Sequence, residues 1–179
     1  MGLTRQKVTL FSRQYREVKQ LYQTAFPKVE RLPYLPLILN TYRPLADCYA
    51  YYDGDSFVGL AYLLQNNDLL YLFFLAVNTK IRSRGYGSAI LQDIKKVAGN
   101  RPIILAIEPL DESADNYAQR QKRVAFYAKN GFQLTAYYYH EGKEIYQVMA
   151  TDPSLDIHKA DSLTKQALLG FIKTSFDLT

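Results

Sequence analysis

The sequence predicts a mixed α/β fold, in which a mostly antiparallel central sheet holds one parallel β-α-β crossover and is flanked by helices. Three observations predict it. Turn signals Asp53-Gly54-Asp55 and Glu141-Gly142-Lys143 each sit between strand-like segments, which makes two antiparallel hairpins. Between the hairpins, the apolar runs Leu69–Val77 and Pro102–Ile107 are joined by a helical stretch, so these two strands run parallel. At 179 residues with 48% hydrophobic content, the chain has enough apolar surface for one sizeable core.

The elements follow in order. Lys7–Phe11 alternates weakly and reads as a first strand. Gln14–Ala25 carries Val18, Leu21, Tyr22 and Ala25 at helical spacing, and Phe26-Pro27 ends that helix. Leu32–Tyr42 reads as a second, short helix limited by Pro33 and Pro36. Asp47–Tyr52 and Phe57–Gln65 form the first hairpin, and Asn66-Asn67-Asp68 turns the chain into the strand Leu69–Val77. The next helix places Tyr86, Ile90, Leu91, Ile94, Val97 and Ala98 on one face and stops at Gly99-Asn100. Ser113 or Asp115 caps a further helix that runs to Lys129 and ends at Asn130-Gly131. Phe132–His140 and Glu144–Ala150 form the last hairpin. Asp152-Pro153 then breaks the chain, so residues 1–150 read as the main domain and 151–179 as a helical tail, with a helix over Ser162–Phe176 that covers a sheet edge or a partner.

Composition excludes several function classes. One cysteine, Cys48, makes no internal disulfide, and with only two histidines, His140 and His158, the sequence offers no metal-ligand spacing. The formal charge of +5 does not point to nucleic acid, because no run of like charges reaches five residues. Leu69–Val77 is far shorter than the ~20 residues that span a bilayer, and no secretory signal pattern opens the chain. The reading is a cytoplasmic protein that engages neither nucleic acid nor membrane, as a monomer or homodimer.

The segment Arg82-Ser83-Arg84-Gly85-Tyr86-Gly87 joins a buried strand to a helix start. Backbone N–H groups in a first helical turn lack intrahelical acceptors, and the helix dipole makes that end partly positive. Glycines let a ligand come close to the backbone. This is a place to hold a phosphate. A Walker loop ends in Gly-Lys-Ser/Thr, whereas Gly87 is followed directly by Ser88. A dinucleotide fingerprint needs a third glycine where Ile90 stands.

Arg82-Ser83-Arg84-Gly85-Tyr86-Gly87 instead resembles the arginine/glutamine-x-x-glycine-x-glycine/alanine loop of the GCN5-related N-acetyltransferases (GNATs). Farther on, Phe126-Tyr127 followed by Gly131-Phe132 is similar to the same family's second signature, and the element order from about residue 5 to residue 150 follows its fold. The tail from Asp152 lies outside the resemblance.

The resemblance implies acetyl-coenzyme A as donor and a primary amine as acceptor, either a small molecule or a peptide amine, with no metal. It implies that the amides around Arg84, Gly85, Tyr86, Gly87 and Ser88 hold the pyrophosphate, with Arg82 and Arg84 adding charge. It implies that the pantetheine arm pairs with the strand edge Leu75, Ala76 and Val77. It places Tyr127 as the general acid, since a phenol keeps its proton at neutral pH. Glu108 closes a buried strand beside Pro109 and is the candidate general base, its pKa expected to rise with partial burial. Family members often carry an asparagine seven residues before the tyrosine, where this chain has Arg120, while Asn116 lies one turn further back. Asn116, Arg120 and Arg123 are therefore candidates for donor contacts, and the two arginines alternatively for pairing with an acidic residue. Tyr34, Tyr42, Tyr137, Tyr138, Tyr139 and Tyr146 supply candidate aromatic walls for a cationic acceptor. A buried strand cysteine such as Cys48 is a poor nucleophile candidate. The alternative function is a non-catalytic acyl-coenzyme A sensing module that docks to a partner.

Overall fold

In the computed structural model of the chain, the described residues are 2–78, 81, 85–169 and 172–178. They form two compact units, Met1–Gln65 with Leu72–Val97, and Asn66–Tyr71 with Ala98–Thr179.

The first unit holds strands β1 (Leu3–Lys7), β2 (Ala46–Asp53), β3 (Ser56–Gln65) and most of β4 (Leu70–Val77), with helices α1 (Tyr15–Ala25), α2 (Tyr34–Asn40) and α3 (Tyr86–Ala98). Its strand order is β1-β2-β3-β4. β1 runs antiparallel to β2, from Leu3 opposite Asp53 to Lys7 opposite Tyr49. The first strand thus precedes the expected segment Lys7–Phe11. Buried Val8 makes the last strand-like contact, donating its N–H to the Cys48 carbonyl at 2.7 Å. Ser12 then closes a turn, accepting from the Thr9 amide at 3.2 Å and donating to the Thr9 carbonyl at 3.0 Å.

α1 forms where the periodicity requires it and buries Val18, Leu21 and Tyr22. Each such burial stabilises the fold by about 1.5–3 kcal/mol. Phe26 ends the helix in an extended conformation (φ −111°, ψ 138°), the conformation a following proline favours. α2 starts only after Pro33 and is one turn shorter than the apolar segment. α3 buries Ile90, Leu91 and Ile94 completely on the expected face. It ends before Gly99, whose φ of +62° is the left-handed stop.

The second unit begins with the first residues of β4, which pair in parallel with β5 (Ile103–Ile107): Leu70 opposite Ile103 and Tyr71 opposite Ile104. The order continues β5-β7-β6-β8, with β6 at Gln133–Glu141, β7 at Glu144–Ala150 and β8 at Thr174–Leu178. These further pairings are antiparallel. Helix α4 spans Tyr117–Lys129. Its N-cap is Asn116, not Ser113 or Asp115. Ser113 is taken up by a local turn, in which its amide and hydroxyl both bind Asp111 Oδ1 at 2.9 and 2.6 Å.

The tail differs from the expected single helix over Ser162–Phe176. Helix α5 covers Ile157–Leu168, capped by Asp156, which accepts from the His158 amide at 3.0 Å. It stops at Leu169, a left-handed residue with φ 52°. Leu163, Ala167 and Leu168 lie on its buried face together with Ile157, Ala160 and Thr164. Ile172 falls beyond the helix, and Phe171 lies outside the described residues. Phe176 belongs to β8, where its ring packs on Tyr139 with centroids 4.9 Å apart. The tail therefore covers a sheet edge with a strand: β8 pairs with β6 from Tyr137–Leu178 to Glu141–Thr174.

Candidate active site

The first unit supplies a strand end and a helix start. At the end of β4, Ala76 is buried, while Leu75 and Val77 are half-buried. β3 comes unusually close here. A Cβ on Gly59 would lie 2.5 Å from the Ala76 carbonyl oxygen and 3.0 Å from Ile90 Cδ1. Glycine is required by that approach, not by its own φ. Just beyond, Asn78 is pinned by its amide on the Val58 carbonyl (2.9 Å) and its side chain on the Phe57 carbonyl (3.0 Å).

Gly85 precedes α3 with φ +78°, a conformation side chains resist. The helical ladder begins with the Ala89 amide on the Gly85 carbonyl at 3.0 Å. The first-turn amides therefore converge at a helix N-terminus, the geometry that receives an anion. Tyr86 is buried, and Gly87 and Ser88 are half-buried. Arg82 and Arg84 lie outside the described residues.

The second unit supplies the titratable groups. Asn116, Arg120, Arg123 and Tyr127 follow one another at helical spacing, so they share one side of α4. Three of them converge on Glu108. Arg123 Nη1 reaches Glu108 Oε2 at 2.5 Å, and Asn116 Nδ2 donates to Oε1 at 3.0 Å. Arg120 Nη2 lies 3.5 Å from Oε1. Arg120 also donates to Asn116 Oδ1 and to the Pro109 carbonyl, both at 2.7 Å.

This network corrects the expectation for Glu108. Burial works to raise its pKa, but the hydrogen bonds from Asn116 and Arg123, with the charges of Arg123 and Arg120, outweigh burial and hold it below the ordinary value. Glu108 is ionised throughout the neutral range. The sequence carried the signal, since the two arginines stand on the helix side that bears Asn116 and Tyr127.

Tyr127 sits in the last turn of α4, half-buried, with its ring centroid 5.1 Å from Phe126 and 5.8 Å from Phe132. Burial pushes its phenol up to about 12, against a smaller downward pull from the Arg123 charge. Among the described residues, none hydrogen-bonds its hydroxyl. It is a protonated donor at neutral pH.

The acceptor tyrosines divide. Tyr34 and Tyr139 are core residues, 8% and 2% exposed. Tyr139 turns its hydroxyl to Glu141 Oε2 at 2.8 Å. Tyr137, Tyr138 and Tyr146 are half-buried and Tyr42 is exposed. Cys48 is 2% exposed and burial pushes its thiol up, which leaves it unreactive. Among the described residues, no group of three His, Cys, Asp or Glu side chains is placed to hold a metal ion, and no helix is long and apolar enough to cross a membrane.

The sequence profile of the acetyltransferase (GNAT) family matches residues 15–132. The chain belongs to that family. Among curated proteins no match is found. Among solved structures, a GNAT-family protein from Bacteroides thetaiotaomicron is 25% identical, with a TM-score of 0.73 over 94% of this chain and 97% of that one. A GNAT-family acetyltransferase from Elizabethkingia anophelis, with acetyl-CoA bound, is 14% identical with a TM-score of 0.59 over 84% of this chain and 98% of its own. An aminoglycoside 6′-N-acetyltransferase complexed with coenzyme A is 18% identical, with a TM-score of 0.61 over 86% and 99%. The last two likenesses show the fold.

Proposed function

We propose that this protein transfers the acetyl group of acetyl-coenzyme A directly to a primary amine. The observation that carries the reading is the Tyr127 hydroxyl, protonated at neutral pH and without a hydrogen-bond partner among the described residues of a GNAT chain. Structural neighbours hold acetyl-CoA or coenzyme A, and one is named for acetylating an aminoglycoside, which supports the donor and an amine acceptor. The left-handed Gly85 at the start of α3 and the close backbone approach at Gly59 fit a phosphate-bearing, extended donor.

The donor, when bound, supplies the activated thioester carbonyl. In this reading the amides of Gly85, Tyr86, Gly87 and Ser88 hold the pyrophosphate, Arg82 and Arg84 add charge, and the edge Leu75–Val77 aligns the pantetheine arm. Tyr127 gives its proton to the departing sulfur. Glu108, held in the ionised form, orients a water through which the ammonium proton leaves to bulk solvent before the free amine attacks the thioester carbonyl. This role asks for a stable charge, in contrast to a carboxyl tuned towards neutral pH. Asn116, Arg120 and Arg123 hold Glu108 in place, and they serve the donor only through that hold.

The test is release of free coenzyme A from acetyl-coenzyme A across a panel containing a polyamine, an aminoglycoside, amino sugars and peptides with free N-termini. Turnover with at least one amine supports the reading. Donor binding without release on any amine overturns it in favour of a sensing module.

A further inference from the structure

The turn between β2 and β3 reaches the start of α3. Tyr86, the first residue of that helix, is 7% exposed, and its hydroxyl donates to Asp53 Oδ2 at 2.8 Å. The other carboxylate oxygen, Oδ1, accepts the Gly2 amide at 3.2 Å. One side chain thus ties three places together: the start of β1, the end of β2, and the helix turn that bears the glycine loop. Two turns along the same side of α3, Asp93 Oδ2 meets Arg5 Nη1 of β1 at 2.8 Å. The helix is fastened to β1 and β2 at both points by polar contacts, in addition to the apolar face of Ile90, Leu91 and Ile94.

Apolar packing fixes how closely a helix lies on a sheet but leaves rotation and sliding along it comparatively soft. A directional hydrogen bond to a carboxylate removes that freedom. Tyr86 is flanked by Gly85 and Gly87, which add no side-chain packing of their own. The Tyr86 ring is therefore the anchor of a turn that is otherwise bare backbone, and Asp53 is what the anchor grips.

We propose that Asp53 is a positioning residue for donor binding: through the Tyr86 hydroxyl it fixes the first turn of α3, so that the amides of Gly85, Tyr86, Gly87 and Ser88 are pre-aimed at the pyrophosphate. The inference rests on the donor assignment made above. In this role the Asp53 carboxylate and the Tyr86 hydroxyl act on donor binding through backbone orientation.

The test is calorimetric titration of the full chain with coenzyme A, alongside thermal melts of the ligand-free proteins. Tyr86→Phe, which removes one oxygen, is expected to weaken coenzyme A binding by about tenfold, the scale of a lost hydrogen bond to a charged group. Asp53→Ala should do the same. Asp53→Asn, which keeps an acceptor, should recover most of the affinity. The double variant Tyr86→Phe/Asp53→Ala should bind no worse than either single variant, because both remove one contact. Coenzyme A affinity in Tyr86→Phe equal to wild type overturns the proposal, as does strict additivity in the double variant. Loss of affinity that merely tracks a fall in melting temperature across the four variants, with no recovery in Asp53→Asn, also overturns it. Wild-type protein that fails to bind coenzyme A overturns the donor assignment itself, a different outcome from variants that bind as well as wild type.

Discussion

Gly59→Ala tests how tightly the end of β4 is held. The added methyl would stand 2.5 Å from the Ala76 carbonyl oxygen. Ordinary carbon–oxygen contacts across a sheet are about 3.3–3.6 Å, so the overlap is roughly 0.8 Å or more. The obstacle is backbone, which has no rotamer to change. Ile90 Cδ1, 3.0 Å from the same methyl, belongs to a fully buried side chain with little room to turn. Overpacking of this kind costs about 1–3 kcal/mol. Replacing glycine by alanine also narrows the unfolded ensemble, which offsets about 0.4–1 kcal/mol. Central values leave a net loss of about 1.3 kcal/mol, or a Tm lower by about 3–5 °C for a chain of this size. The displaced group is the carbonyl of Ala76, so coenzyme A affinity should fall with stability. Differential scanning calorimetry and coenzyme A titration read both. A variant that melts at or above the wild-type temperature refutes the steric argument.

Two further outcomes are expected. Tyr127→Phe should lower turnover by about 100-fold or more while coenzyme A affinity stays within about twofold, read by steady-state rates and calorimetry; unchanged turnover removes the tyrosine from the chemistry. The Glu108 network links stability to pH. Its folded pKa is depressed, so its contribution is complete above the unfolded carboxylate value of about 4.3 and is lost as pH falls through the lower folded value. Thermal melts from pH 3 to 7 should therefore show a smaller acid-side decline in Glu108→Gln than in wild type, and identical declines would show the network contributes nothing.

Much of the fold was legible because its signals were local. The Asp53-Gly54-Asp55 turn, the Gly99 and Gly131 stops, and the buried stripe of α3 each follow from a few neighbouring residues. The first strand was misplaced by four residues because Leu3–Lys7 leaves four of five residues exposed and carries no apolar alternation; its existence depends on pairing with β2, some 45 residues away. β8 was absorbed into a helix for a similar reason. Phe176 continues the helical spacing of α5, and only the left-handed Leu169 and the ladder with β6 show that the helix has ended. At the site, the motif positions were readable, and so was the offer of Arg120 and Arg123 to an acidic residue, but that Glu108 is the residue they hold was not. The carboxyl of Glu108 was expected to respond to burial, and the decisive partners lie on another element.

The one-sided arrangement of α4 has a consequence for how acidity is distributed there. Arg123 is shared: it grips Glu108 on one side and, on the other, offsets part of the upward push that burial gives the Tyr127 phenol. With Glu108 ionised, the Arg123 guanidinium faces an anion at hydrogen-bond distance as well as the tyrosine. Neutralising Glu108 releases the field of Arg123 onto the phenol and makes it a stronger acid. A Glu108→Gln enzyme should thus lose the alkaline side of its pH–rate profile earlier, a change at the opposite end of the scale from the residue that was altered. The carboxylate behaves as a counterweight on the tyrosine, and the helix between them as the beam.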